Sequence, residues 1–122
     1  MSGNLEVLQM ARALASHASL RQQAIAQNVA NADTPGYQSR DAAPFETFLN
    51  ATSRAGQAPP PRPSDLIRPD AQPATRTPNG NTVSLEHEMT RAAEVRNQHE
   101  MALGITSSVK DILRAALGRG GR

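Results

Sequence analysis

Residues Asn28 to Asp41 read "NVANADTPGYQSRD", and this stretch decides where the first helix of the chain ends. Thr34-Pro35-Gly36-Tyr37 fits a type II turn, in which proline pre-sets φ at the second position and glycine supplies the positive φ needed at the third. Asp33 or Thr34 can close the helix by accepting N–H groups of the turn. Asn28 and Asn31 stand one helical turn apart, so their amides share a face beside Val29 and Ala32. A well-made helix stop accounts for all of these residues by itself, and the physics of the stretch leaves that reading open.

Upstream, the residues from Leu5 to Ala32 include no proline and only good or neutral helix formers. A seam runs through Leu8, Ala11, Ala15, Ala18, Gln22, Ile25, Val29 and Ala32 at alternating spacings of three and four, the rhythm of a helix lying lengthwise on another. The spacing predicts a helix over 4–32, roughly 42 Å long at 1.5 Å per residue, with small side chains that allow a close neighbour. Downstream of the turn (33–42), "PFETFLN" predicts a short amphipathic helical segment over 43–50, with Phe45, Phe48 and Leu49 on its face.

The C-terminal part carries a second long helical pattern, over 83–117. One seam holds Val95, Gln98, Ala102, Ile105, Val109, Ile112 and Ala116; a second stripe holds Leu85, Met89, Ala92, Leu103, Leu113 and Leu117. Two stripes on one helix imply more than one neighbour. Ser84 is positioned to cap its start, and Gly118 with the glycine-rich tail to end it. The intervening 51–82 contains seven of the nine prolines, which lock φ and remove donors, so it is expected to be an extended or disordered connector. The fold expected is therefore all-α: two long terminal helices in an antiparallel, coiled-coil-like hairpin.

Composition narrows the function. The chain has 122 residues, enough for one small unit, and only three aromatics, all between residues 37 and 48. Two helices with so little bulk leave the second stripe wet, which suits a surface made for other chains. Twelve of the thirteen basic residues are arginines, scattered without a stripe or stacking aromatics, which argues against nucleic acid as a partner. "LEHEMTR" places Arg91 where the H-E-x-x-H zinc pattern needs histidine, so that motif fails. His17, His87 and His99 read as ordinary helix residues, and Glu86, Glu88, Glu94 and Glu100 as a solvated face among arginines. No catalytic constellation, phosphate loop, cofactor site or small-molecule site emerges. The N-terminus lacks the basic and apolar regions of a cleavable signal peptide.

The opening stretch resembles the N-terminal signature of the bacterial flagellar axial proteins, the rod, hook and hook–filament junction family. The resemblance rests on Asn28, Asn31, Thr34, Pro35, Gly36 and Tyr37, with Asp33 and Asp41 in support. "GNTVSLEHEM", Gly80 to Met89, is similar to the segment leading into the C-terminal helix of the short proximal rod members. About fifty residues separate the two helical patterns, which suits such a member better than a hook protein. The Tyr-Pro-Asn-Val wording of a sister proximal rod protein is missing. Gln38 and Ser39 depart from the common basic-plus-small pair. The resemblance implies a structural, non-enzymatic subunit exported unprocessed through the flagellar type III apparatus. Its implied partners are further copies of itself, other rod proteins, and the adapter to the MS ring and export gate. Leu8, Ala15, Ile25 and Val29 on the first helix, with Leu103, Ile105, Val109 and Ile112 on the second, are the expected assembly seams. A type III chaperone or adapter is the competing class, disfavoured by the scattered arginines and the basic pI of 9.9.

Overall fold

The computed structural model describes residues 2–53, 62–74 and 76–120. Ser2–Ala30 forms helix α1, Arg40–Ala42 strand β1, Phe45–Ser53 helix α2, Pro63–Leu66 a 3-10 turn, Ile67–Pro69 strand β2, and Leu85–Gly120 the long helix α3. α1 and α3 pack along their lengths in opposite directions: Asn28 meets Glu88 near one end, and Leu14 meets Gln98 further along. With 29 and 36 residues, they measure about 43 and 54 Å at 1.5 Å per residue, so α3 outreaches α1.

The expectation of an all-α chain needs a correction, because a two-stranded antiparallel sheet lies against the helices. Arg40 pairs with Pro69, Asp41 with Arg68 and Ala42 with Ile67. Its second strand comes from the proline-rich stretch. Proline is tolerated at the end of a two-stranded ribbon, where its missing N–H breaks no inner ladder. What anchors the strand is the apolar pair Leu66-Ile67: Leu66 is buried with Leu20 and Phe48, Ile67 packs against that cluster, and the Leu66 carbonyl accepts the Ala43 N–H at 2.7 Å. The rest of the expected connector at 54–61 lies outside the described residues.

Two apolar clusters make the core. Ala18, Ile25 and Val95 join α1 to α3 with Ala92 alongside, while Leu20, Phe48 and Leu66 join α1 to α2 and the 3-10 turn. Phe48 is buried and Phe45 and Leu49 half-buried, so the short amphipathic helix presents the face expected of it.

The seams differ from the periodic reading in an instructive way. On α1 the buried positions include Ala11, Ala18, Ile25 and Asn28, whereas Gln22 and Val29 are exposed. On α3 the inward row extends one heptad back from Val95 and Gln98, to Glu88 and Arg91, both buried. Glu88 is therefore not part of a solvated face. The half of the helix pair nearest the turn is zipped by polar groups, which a search for apolar periodicity passes over.

Candidate functional site

The region built most densely from the quoted stretch is a polar clasp that joins the end of α1 to the start of α3. Its centre is Asn28, with no exposed surface. Its Nδ2 donates to the Arg40 carbonyl at 2.8 Å and to Glu88 Oε1 at 3.0 Å. Its Oδ1 accepts from the Tyr37 hydroxyl at 3.0 Å and from the Arg40 N–H at 2.9 Å. An asparagine amide has two donors and accepts comfortably twice, so this one is saturated, and the network fixes which way the amide points. Burial pushes the Tyr37 phenol above its ordinary value, which keeps the hydroxyl a donor to Asn28.

Asn31 acts on the helix end instead. Its Nδ2 donates to the Gln27 carbonyl at 2.9 Å, which also accepts the Asn31 N–H at 3.1 Å, and its Oδ1 accepts from Thr34 Oγ1 at 3.1 Å. The turn follows as expected: the Tyr37 N–H donates to the Thr34 carbonyl at 3.2 Å, and Gly36 has φ +75°. Asp33 and Pro35 are exposed.

The second stretch singled out by resemblance, which begins at Gly80, closes onto the first. Asn81, 1% exposed, donates from Nδ2 to the carbonyls of Asn31 at 2.9 Å and Thr34 at 2.7 Å. Its Oδ1 accepts the Val83 N–H at 2.7 Å. The Gly36 N–H donates to the Asn79 carbonyl at 2.9 Å, and the Thr82 N–H to the Tyr37 carbonyl at 3.0 Å. Thr82 Oγ1 accepts the Ser39 N–H at 2.9 Å. Gly80 has φ +84°, and a Cβ there would make only an ordinary 3.4 Å contact with Gly36 Cα, so it is the positive φ that favours glycine at both positions. Ser84 then caps α3, its Oγ accepting the His87 N–H at 3.3 Å.

Below the clasp lies a charge cluster. Arg91 pairs with Asp70, lies 3.5 Å from Glu88 and 4.0 Å from Asp41; Arg21 lies 3.4 Å from Asp41 and 3.3 Å from Glu94. Burial disfavours the charged form of Asp70, yet hydrogen bonds from Arg91, the Gln72 N–H and Ser39, with the guanidinium's charge, hold its carboxyl below the ordinary range. Glu88 moves the other way: burial raises it, and the Asn28 hydrogen bond and Arg91 offset this only in part. Its Oε2 is buried and has no hydrogen-bond partner among the described residues. Asp70 therefore stabilises the fold above its unfolded value, and that contribution is lost as pH falls through its folded value. Glu88's contribution is complete below its unfolded value and is lost as pH rises through its folded value.

The expected assembly residues divide three ways. Ile25 and Val109 are buried within the chain; Leu8, Ala15 and Ile105 are half-buried; Val29, Leu103 and Ile112 are exposed. Ile105 lines a small apolar cavity with Val7, Met10, Leu14 and Phe45 of its own chain. Leu85, Met89, Leu103 and Leu117 of the second stripe are all more than half exposed. Arg21 and Asp70 belong to the clasp region without having been singled out, and Arg91 was noted only as the residue that breaks a zinc pattern. The signal for Arg91 was its phase with Val95 and Gln98; nothing local marked Asp70.

Replacing Gly36 by valine forces a β-branched residue into the left-handed region and is expected to destabilise the chain by about 1–3 kcal/mol. Gln38→Ala, at an exposed position, is expected to cost less than about 0.5 kcal/mol. Equal denaturation midpoints would show that the turn does not need this backbone conformation.

Comparison with known proteins places the clasp's first strand of chemistry in a family. Residues 10–38 match the family model described as "Flagella basal body rod protein". The chain is similar to the flagellar basal body rod protein FlgB of Escherichia coli, 34% identical over 104 residues, covering 71% of this chain and 75% of that one. It is similar also to FlgB of Agrobacterium fabrum, 28% identical over 116 residues, covering 85% and 87%. The matched region runs through α1 into Tyr37, and the longer alignments extend over most of the helix–connector–helix plan, so the chain belongs to the FlgB family of flagellar basal body rod proteins.

Proposed function

We propose that the chain is a structural subunit of the basal body rod that polymerises through its two long helices and carries torque across the periplasm. The observation that carries this reading is the outward apolar stripe of α3, where Leu85, Met89, Leu103 and Leu117 stand more than half exposed although the helix already packs on α1. Water-exposed leucines at helical spacing along one helix suit lateral contacts with neighbouring subunits. Val29 and Ile112 are also exposed, Ile112 on the side of α3 opposite Leu103 and in phase with Ile105; Ile25 and Val109 serve by holding the helix pair together. Further copies, other rod proteins, and the adapter to the MS ring and export gate are the proposed neighbours. No described helix is long and apolar enough to cross a membrane. Export through the flagellar type III apparatus belongs to the same reading.

Leu103→Glu tests assembly apart from folding. The residue is 55% exposed, so the charged variant is expected to match the parent's stability within about 0.5 kcal/mol and to be secreted normally. In a rod, each copy would bury an unpaired carboxylate at its contacts, which costs several kcal/mol per interface. Cells carrying it are expected to be non-motile, with basal bodies lacking a rod by electron microscopy. Normal rods would remove this stripe from the interface.

A further inference from the structure

Asn79 is the one asparagine of the sequence that is followed by glycine, and the pair forms the tip of a small loop. The Thr77 N–H donates to the Asn81 carbonyl at 2.9 Å, the Gly80 N–H donates to the Thr77 carbonyl at 2.9 Å, and Gly80 has φ +84°. Pro78-Asn79-Gly80 is thus a three-residue loop, a type I turn closed by a left-handed glycine, with Asn79 at the third position of the turn. Asn79 is exposed. Its Oδ1 accepts the Asn81 N–H at 3.1 Å and touches the Thr77 hydroxyl. Its main-chain carbonyl accepts the Gly36 N–H at 2.9 Å, so the loop tip is also one jaw of the clasp.

Glycine has no side chain to shield its neighbouring nitrogen, which lets an Asn-Gly pair react with itself. The Gly80 nitrogen, once hydroxide has taken its proton, attacks Asn79 Cγ. The N–Cγ bond forms, the Cγ–Nδ2 bond breaks, and Nδ2 leaves as ammonia with a proton from water. A second water opens the resulting five-membered imide. Cleavage at Cγ leaves aspartate. Cleavage at the main-chain carbonyl carbon leaves isoaspartate, in which the chain runs through Cβ and Cγ and the former carbonyl has become a carboxylate.

The closed loop forbids the first step. The imide needs the Gly80 nitrogen in the plane of Asn79 Cα, Cβ and Cγ, whereas the third position of a type I turn holds ψ near roughly 0°, well out of that plane. Rotating into it swings the Asn79 carbonyl off the Gly36 N–H and the Gly80 N–H off the Thr77 carbonyl. Ring closure and the Gly36–Asn79 contact therefore exclude each other. We propose that Asn79 is a self-modification site gated by the clasp: inert while the clasp is shut, it converts to isoaspartate in a chain whose clasp stands open, and the product does not shut again. The additional methylene in the main chain moves Asn81 out of register with the turn, and Asn81 is the residue whose amide holds the Asn31 and Thr34 carbonyls. A chain that stays open too long is withdrawn from folding.

Ageing of the full chain at mildly alkaline pH, in buffer and in denaturing guanidinium chloride, tests this. Trypsin releases Thr77 to Arg91 as one peptide, in which fragmentation separates Asn79 from Asn81 and a protease specific for aspartate separates aspartate from isoaspartate. The same peptide, synthesised and aged in both solutions, corrects for the solvent. Conversion of Asn79 is expected to be at least about tenfold slower in buffer, because reaction is confined to the open fraction. Gly36→Val, which strains the opposite jaw, is expected to react faster than the parent in buffer. The isoaspartate chain, purified from denaturant and refolded, is expected to lose hydrogen-exchange protection at the Gly36 and Thr82 amides. Equal corrected rates in buffer and denaturant, no acceleration in Gly36→Val, or full Gly36 protection in the isoaspartate chain would each overturn the gate.

Discussion

Asn28→Ala is expected to lower the unfolding free energy by about 3–5 kcal/mol, several times the effect of Asn31→Ala at about 1 kcal/mol. Both residues are asparagines of the same signature, one turn apart, so their sequence context does not separate them. Their surroundings do. Asn28 is sealed from water and holds four groups, and its removal leaves the Arg40 N–H and carbonyl and the Glu88 carboxylate without that partner. The Asn31 side-chain bonds are solvent-exposed and water can replace them. Asn28→Asp is expected to be no better than alanine near neutral pH, because a carboxylate cannot donate to Glu88 or to the Arg40 carbonyl, and to recover as the pair takes up a proton on acidification. Urea denaturation of the three variants between pH 7 and 4.5 measures this. Equal losses for Asn28→Ala and Asn31→Ala would mean that the clasp is not what joins the two helices at this end.

Arg91→Met is the second large effect, about 3–5 kcal/mol near neutral pH. Methionine keeps most of the aliphatic stem, so the loss reports charge rather than packing. The variant strands Asp70 and Glu88, whose side chains are only 3% and 1% exposed. Without the guanidinium, both carboxyls protonate more readily in the folded chain, so the deficit is expected to narrow as pH falls towards about 4. Adding Asp70→Asn removes one of the stranded charges and is expected to restore part of the loss, making the double variant more stable than Arg91→Met alone. A deficit that stays constant from pH 7 to 4 would assign the loss to shape.

Much of the architecture could be read from the chain because its elements are governed by local rules. Helix formers without proline mark α1 and α3, Ser84 caps where a cap is needed, and Gly36 takes the positive φ that a type II turn demands. The exposed second stripe also followed from periodicity, since Leu85, Met89, Leu103 and Leu117 fall in phase on α3. The polar half of the helix seam did not. Arg21, Asn28, Glu88 and Arg91 sit where apolar spacing looks for leucine or alanine, and polar residues become inward-facing only when partners from elsewhere satisfy them.

Those partners are what sequence proximity does not reveal. Asn28 and Asn81 were marked by motif, yet whether each faced water or a neighbour depended on segments some fifty residues apart being folded together. Leu66 and Ile67 lay inside a proline-rich stretch whose composition speaks for extension. They found a core because β1 offered free backbone groups and Leu20 and Phe48 an apolar face. By itself, then, the sequence determined the two long helices, the turn between them and the family signature, since backbone conformation and helical phase are settled within a few residues. Only the tertiary structure decided that the signature is a saturated hydrogen-bond clasp, because burying a polar group is favourable only when the whole set of its partners arrives together.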